Sequence, residues 1–593
     1  MNFNKHTFHI PVMGLGYTVD TPVKVAHLGI SSVISIVDDF LIEKMREFYS
    51  QKFDLPFKEI PNKVEDFRAK RITAYLNMVD KLVHDKYEEL INNFHQKGNE
   101  LERYFDMLPD AKSIREKFNH ALESKNLTDV KNWLRSNLTK GSIDVNIMTK
   151  LDKVNYKDKE ALPSEFNDAH AALRGFANST LSSSLVLSAG MNPRLYSYIE
   201  NFEDFYPDAN GQLKKKITLK VSDFRSAMVQ GRFLGQKGIW VSEYRVESGL
   251  NCGGHAFATQ GYLLGPILDE FREKRQELLD STFAVYQKAL EKKGKTVVQQ
   301  APEMKITAQG GVGTNEEHNF LLDEYQLDSI GWGSPFMLVP EACNIDQESL
   351  ELLRNAGEDD VYLSDASPLG VHFNNVRGTS QQVQIQQYLS DGKPGFPCTK
   401  RYLVFNTEYT EQPICTASRQ YLKKKISEVK ESGLSAEEQQ KQIILLTQKE
   451  CLCEGLTNST YLANGIAPDS KRTGVSICPG PNIAYFNQVV SLKEMVNHIY
   501  GKVNLLKGVK RPNLFLKELK MYVDYLENKL ADLGQSQDEK QFSYYRAFRK
   551  NMQDGISYYQ QLFAKYDNKL QEMKKDALVE LENFSKKLES LKI

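Results

Sequence analysis

The residues best placed to do chemistry lie in "VESGLNCGGHAF", Val246 to Phe257. His255 follows the glycine pair Gly253-Gly254, and an imidazole titrates near neutral pH, so it can give or take a proton. Glu247 upstream is a carboxylate that either orients the imidazole or touches a cofactor; capping a loop is its simpler role. Alone, a histidine after a double glycine is equally a turn residue. Two later stretches, "ITAQGGVGT" and "IGWGS", bring Gly310-Gly311 and Gly333-Ser334. Glycine turns after strands expose backbone N–H groups, and a following helix N-terminus adds its positive dipole end, which together make a phosphate seat.

Earlier segments offer further groups. Met13 and Gly14 in "PVMGLG" present backbone that can approach a flat ligand. Asn146 in "SIDVNIM" both donates and accepts hydrogen bonds. Ser188 ends "LVLS", and Lys220 in "ITLKV" is either a ligand-facing cation or a strand residue paired with a carboxylate. His318 in "TNEEHNF" reads as a solvated helix residue. Cys252, beside the histidine loop, reads as a small buried thiol.

Five of the seven cysteines, Cys398, Cys415, Cys451, Cys453 and Cys478, fall in one C-terminal stretch. Clustered thiols in a reducing compartment suggest zinc or an iron–sulfur cluster. Their spacing matches no short zinc-ribbon or ferredoxin pattern, and unrelated buried thiols are the competing reading.

Elements must position these groups. Apolar segments bounded by glycine or polar turns recur at "FHIPVMGLG", "SSVISIV", "SIDVNIM", "SSLVLSAG", "KKITLKV", "GIWVSEY", "MKITAQ" and "DSIGWG", with helical text between most of them. That order predicts an α/β fold, a (β/α)₈ TIM barrel, whose working groups sit at the carboxyl ends of the strands. The barrel is expected over residues 1–39 and 141–345. Residues 40–140 read as a helical insertion, 346–485 as an irregular cysteine-containing region, and 486–593 as a charged helical extension. Within the last, Leu516, Leu519, Val523, Leu526, Leu530 and Leu533 form a short seam suited to a local helical hairpin rather than a long coiled coil.

Composition narrows the function classes. The chain has 593 residues, 41% hydrophobic and 26% charged, with a formal net charge of −1. Such a balance argues against a general nucleic-acid binder. No apolar run is long enough to span a bilayer and no secretory signal is apparent, so the cytoplasm is the expected compartment.

The succession "VESGLNCGGH", "ITAQGGVGTNEE" and "DSIGWGSPFMLVPEA" resembles the loop series of FMN-dependent TIM barrels that include nitronate monooxygenases and flavin enoyl-acyl-carrier reductases. "GSIDVNIM", "LVLSAGMNP" and "IPVMGLG" are similar to other segments of that family. "EDDVYLSDASPLGVHFNNVRGTS" is similar to the enoyl reductase subunit of bacterial polyunsaturated fatty acid synthases. The resemblance implies FMN, with Gly311, Gly333 and Ser334 at its phosphate. It also implies that Asn146 and the Met13–Gly16 backbone face the ring, and that His255 transfers a proton above it. Ser188, Lys220, Gly253, Gly254 and Gly310 complete the expected cofactor contacts. NAD(P)H is the implied electron donor and a small or carrier-bound acyl compound the substrate.

Three features depart from the family pattern. Pro335 replaces an expected arginine, Asn251 and Cys252 replace a short acidic-alanine step, and the helical insertion has no counterpart. A nitronate monooxygenase-like oxidase stays as the alternative activity. A non-catalytic scaffold, or a homo-oligomer formed through the helical regions, is the alternative of another class.

Overall fold

A computed structural model describes the whole chain except residues 1–4, 124–125, 150–151, 159, 189, 253–258, 369, 398, 469–471, 534–538, 566–570 and 592–593. Eight short, buried segments form its centre: β1 (Phe8–Ile10), β2 (Ser31–Ser35), β3 (Ile143–Ile147), β4 (Ser184–Leu187), β5 (Lys216–Val221), β6 (Val241–Glu247), β7 (Lys305–Gln309) and β8 (Ser329–Gly331). Each pairs in parallel with its chain neighbour, and β8 closes on β1 through Phe8 opposite Ile330. The fold is a closed (β/α)₈ barrel, as the strand order predicts.

Strand alternation sorts the side chains between the axis and the surrounding helices. On β6, Tyr244 points outward, its hydroxyl against Gly231 in helix Phe224–Gly235. Glu243, Arg245 and Glu247 share the opposite face and look along the axis. The barrel interior is accordingly polar. Glu243 accepts from Arg245 Nε at 2.8 Å and from Thr307 Oγ1 at 2.6 Å. Burial alone would raise the Glu243 carboxyl; Arg245 and His9 beside it outweigh that and hold it below its usual range. Pairing of this kind is what makes charge tolerable inside a barrel. Apolar filling near the axis comes from Val12, Val33 and Val186, which form a small cluster of their own.

The helices between β2 and β3 are built onto the barrel. Helix Phe67–Asn92 lies along helices Asp39–Lys52 and Asp168–Ala177. Arg68 and Arg71 on it each bind a carboxylate oxygen of Asp39 at 2.8 Å, just beyond the end of β2. Residues 346–485 hold more regular structure than their sequence suggests. They include a hairpin, Val361–Ser364 with Phe373–Val376, and the buried helix Cys453–Ala463. Leu516, Leu519, Val523 and Leu526 on helix Leu514–Leu533 are buried, so the seam packs within its own chain, against helices Leu264–Glu273 and Gln571–Ser590. No described helix is long and apolar enough to cross a membrane.

Candidate active site

The carboxyl ends of β5, β6 and β7 meet in one polar cluster. Glu247 Oε1 accepts from Lys220 Nζ at 2.9 Å, from Asn251 Nδ2 at 2.6 Å and from Gln309 Nε2 at 2.7 Å. The Gln309 amide also reaches Asn251 Oδ1 at 3.1 Å. Strand register explains the meeting, because Glu247 lies directly opposite Gln309 and Lys220 opposite Arg245. Gly331 on β8 makes room for it, since a Cβ there would stand 2.6 Å from that of Gln309. A carboxylate oxygen with three donors is a fixed anionic anchor. Lys220 is thus paired with a carboxylate, and Glu247 holds Asn251 at the start of the loop that follows it.

Beside this cluster, the turns after β7 and β8 and the loop after β6 enclose a small hollow. Its lining includes Asn251, Cys252, Gly310, Gly311, Gly333 and Ser334. Gly310 and Gly311 have φ of +109° and +84°, which side chains rarely adopt. A Cβ on Gly310 would stand 2.9 Å from the Asn251 backbone nitrogen, and one on Gly333 3.0 Å from Cys252 Cβ. The hollow exists because these positions carry no side chain.

The expected helix contribution to the seat differs. In helix Asn315–Glu324, Thr314 Oγ1 accepts the Glu317 N–H and Glu317 Oε2 accepts the Gly313 N–H. The first turn is thus engaged by its own residues, and the hollow is lined by the turn backbones and neighbouring amides.

Those neighbours come from the C-terminal half. Asn482 lines the hollow and donates to the Val312 carbonyl at 2.7 Å. Ser334 Oγ donates to the Gly480 carbonyl at 3.2 Å. Arg511 donates through Nε to Asn482 at 2.8 Å, through Nη1 to Glu317 at 2.7 Å, and through Nη2 to the Gly311 carbonyl. A cation stands behind the glycine turn even though Pro335 occupies the position where the resembled family has arginine.

The other expected contacts fall as follows. Asn146 is 3% exposed, and its Oδ1 has no hydrogen-bond partner among the described residues. It shares the axial face of β3 with Asp144, two residues away. Ser188 Oγ accepts the Thr149 N–H at 2.8 Å and ties the β3 and β4 loops together. Met13 is fully buried. A Cβ on Gly14 would stand 2.7 Å from the Tyr17 ring, whose hydroxyl donates to the Ser476 carbonyl at 2.6 Å, so packing within the protein already accounts for that glycine. Gly253, Gly254 and His255 lie outside the described residues.

His318 is on a helix but is buried, not solvated. Its Nδ1 accepts from the Trp332 indole at 3.1 Å and its Nε2 lies 2.9 Å from Thr7 Oγ1. Burial lowers its pKa to about 4. Cys252 is a buried thiol, with Sγ 3.6 Å from Met337 Sδ, and burial followed by the neighbouring Cys478 pushes it up to about 12. Cys415, Cys451, Cys453 and Cys478 are buried, and Cys398 lies outside the described residues. Among the described residues no three histidine, cysteine or carboxylate side chains gather as metal ligands. Cys478 is set apart by position: its carbonyl faces Cys252 at the barrel, whereas the Cys451 N–H donates to the Phe396 carbonyl.

Gln309, Asn482 and Arg511 escape a reading of the sequence by motif, and Asn251 shows there only as a departure from the resembled pattern. Gln309 leaves a trace as the last axial residue of a strand whose alternation begins at Thr307. The other contacts depend on which loops the fold brings over the barrel.

The chain is a (β/α)₈ barrel with a small glycine-lined hollow at the ends of its last two strands. No protein-family model matches the chain, and no curated protein sequence matches it. Among solved structures, the enoyl reductase domain of MlnA from the macrolactin biosynthesis cluster of Bacillus amyloliquefaciens is similar at 15% identity. That match covers 71% of this chain and 88% of MlnA's domain, with a TM-score of 0.33. FabK from Thermotoga maritima is similar at 11% identity over 88% of this chain and 96% of its own, with a TM-score of 0.36. Likeness at this level leaves function to be argued from the site's own residues.

Proposed function

We propose that the chain is an FMN-dependent oxidoreductase that reduces an activated C=C bond of the enoyl-thioester kind. The observation carrying this reading is the convergence of Gly310, Gly311, Gly333 and Ser334 on one hollow beside the loop that leads to His255. Two features support FMN in this reading. The hollow at the glycine turns has the chemistry of a phosphate seat, with turn backbone and the Asn482 amide around it. Asn146 keeps a buried, unpartnered carbonyl oxygen on the barrel axis, an acceptor for a ring N–H.

FMN, when bound, supplies the hydride chemistry. The protein's part is to bind, orient and protonate. Gly310, Gly311, Gly333, Ser334 and Asn482 hold the phosphate, with Arg511 steadying the Gly311 turn from behind. Lys220, Asn251 and Gln309, gathered on Glu247, fix the start of the loop that carries His255. His255 supplies the proton that the substrate α-carbon gains on reduction, a role suited to a group titrating near neutrality. NAD(P)H is the electron donor in this reading, and the acyl group is small or carrier-bound.

An absorption spectrum of the purified protein tests the cofactor, with flavin bands expected near about 370 and 450 nm. Protein that holds no flavin even after incubation with excess FMN refutes the proposal. Bleaching of those bands by NAD(P)H under anaerobic conditions, followed by recovery with an enoyl thioester, supports the reductase. Turnover of a nitronate with oxygen and without pyridine nucleotide would assign the oxidase activity instead.

A further inference from the structure

Glu518 is a buried acid that the proposed chemistry does not use. It lies on helix Leu514–Leu533 with 1% exposure. Its two oxygens reach two separate places in the chain. Oε1 accepts the Gly249 N–H at 3.2 Å and Oε2 accepts the Leu264 N–H at 2.8 Å. Gly249 stands just past the end of β6, and Leu264 opens helix Leu264–Glu273. One carboxylate therefore joins the beginning and the end of the loop that carries Asn251, Cys252 and, in sequence, His255.

Neighbouring side chains reinforce the grip. A Cβ on Gly249 would stand 2.6 Å from both Met521 and Tyr522, so helix Leu514–Leu533 presses directly on the loop's first turn. At the far end, Tyr559 Oη accepts the Gly265 N–H at 3.0 Å and Asn551 Nδ2 donates to the Gln260 carbonyl at 2.7 Å. Both belong to helix Glu539–Lys565.

An apolar side chain of the same size would bury here without the cost of desolvating a carboxyl group. What only the acid supplies is a pair of acceptors on a rigid fork, aimed at two N–H groups that would otherwise be buried and unpaired. We propose that Glu518 is a positioning residue: it clasps Gly249 and Leu264, the described ends of this loop, and so fixes Leu250, Asn251 and Cys252 against the hollow they line. The role assigned to the hollow rests on the FMN reading; the clasp itself rests on the hydrogen bonds.

The test is hydrogen exchange on full-length protein for wild type, Glu518→Gln and Glu518→Leu, following peptides that span residues 247–265 and peptides from β1 to β4. The clasp predicts exchange in the loop about tenfold or more faster in Glu518→Leu and an intermediate rise in Glu518→Gln, with the strand peptides unchanged. Loop exchange within about twofold of wild type in folded Glu518→Leu, or equal loosening of loop and strands, overturns it. If Glu518→Leu does not fold, Glu518→Gln decides by the same comparison. Flavin absorbance per chain is read on the same samples. Retained flavin with lowered kcat accords with mispositioning. A wild-type protein without flavin defeats the FMN reading and leaves the exchange result to judge the clasp.

Discussion

Glu247 and Gln309 face each other across the ends of β6 and β7, joined by a 2.7 Å hydrogen bond from the amide to the carboxylate. Lys220 and Asn251 point at the same oxygen. Removing the acid strands three partly buried donors, whereas removing Lys220 leaves the acid two neutral donors. Glu247→Ala should lower thermal stability by the equivalent of about 1–3 kcal/mol, the usual cost of leaving such donors without their acceptor. Lys220→Met combined with Glu247→Gln should cost less than the sum of the two single changes. Thermal midpoints for the four proteins check this, and simple additivity would show the pair to be uncoupled.

Gly310 is the residue on which the seat most depends. Its φ of +109° and its closeness to the Asn251 backbone both exclude a side chain. Gly310→Ala should keep the barrel's circular dichroism while losing most bound flavin, with FMN affinity lower by about tenfold or more for about 1.4 kcal/mol of strain and lost contact. Fluorescence titration of the apoprotein with FMN measures it, and unchanged affinity would remove the turn from the seat.

Asn146 separates ligand binding from stability. A buried acceptor without a partner contributes nothing to holding the fold and carries a desolvation cost. Asn146→Leu is therefore expected to leave the thermal midpoint unchanged or raise it, while weakening flavin binding. A clear fall in the midpoint with unaltered flavin affinity would instead make Asn146 a structural residue.

The sequence showed the strands and the glycine turns because both are local. β-branched runs such as "SSVISIV" and glycine pairs such as Gly310-Gly311 declare themselves within a few residues. The polar core was not legible. Glu243, Arg245 and Thr307 read as ordinary strand residues until the closed barrel turns one face of each strand to the axis. Arg511 and Asn482 lie far along the chain from the turns they touch, and no spacing rule links them to Gly311 or Val312. His318 reads as solvated because its neighbours in "NEEHNF" are polar, whereas the helix turns it inward against Trp332 and Thr7. The seam from Leu516 to Leu526 reads as one that packs within its own chain, but its pattern does not say that helix Leu264–Glu273, far back in the sequence, is among the surfaces it meets.

His255→Ala should retain the flavin spectrum and lose about 10²-fold or more in turnover, the usual worth of a positioned acid. The measurement pairs absorbance per chain with steady-state reduction of an enoyl thioester. Loss of flavin without a separate chemical defect would mark the histidine as part of the cofactor's support.

Glu450 gives the molecule a pH dependence of its own. The side chain is 3% exposed, Gln381 Nε2 donates to it at 2.6 Å, and burial pushes its pKa up to about 7. A carboxyl group that binds its proton more tightly in the folded than in the unfolded chain stabilises the fold most where both states are protonated. That contribution is complete below the ordinary glutamate range near about 4.3 and is lost as the pH rises through the folded value. Wild type should therefore lose thermal stability between about pH 4.5 and 7 relative to Glu450→Gln, whose amide does not titrate. Below about pH 4 the two midpoints should nearly agree, and at pH 8 the variant should be the more stable. A midpoint difference that stays constant between those pH values would show that Glu450 titrates alike in the folded and unfolded chain. The single hydrogen bond from Gln381 would then be holding the charged form at no net cost.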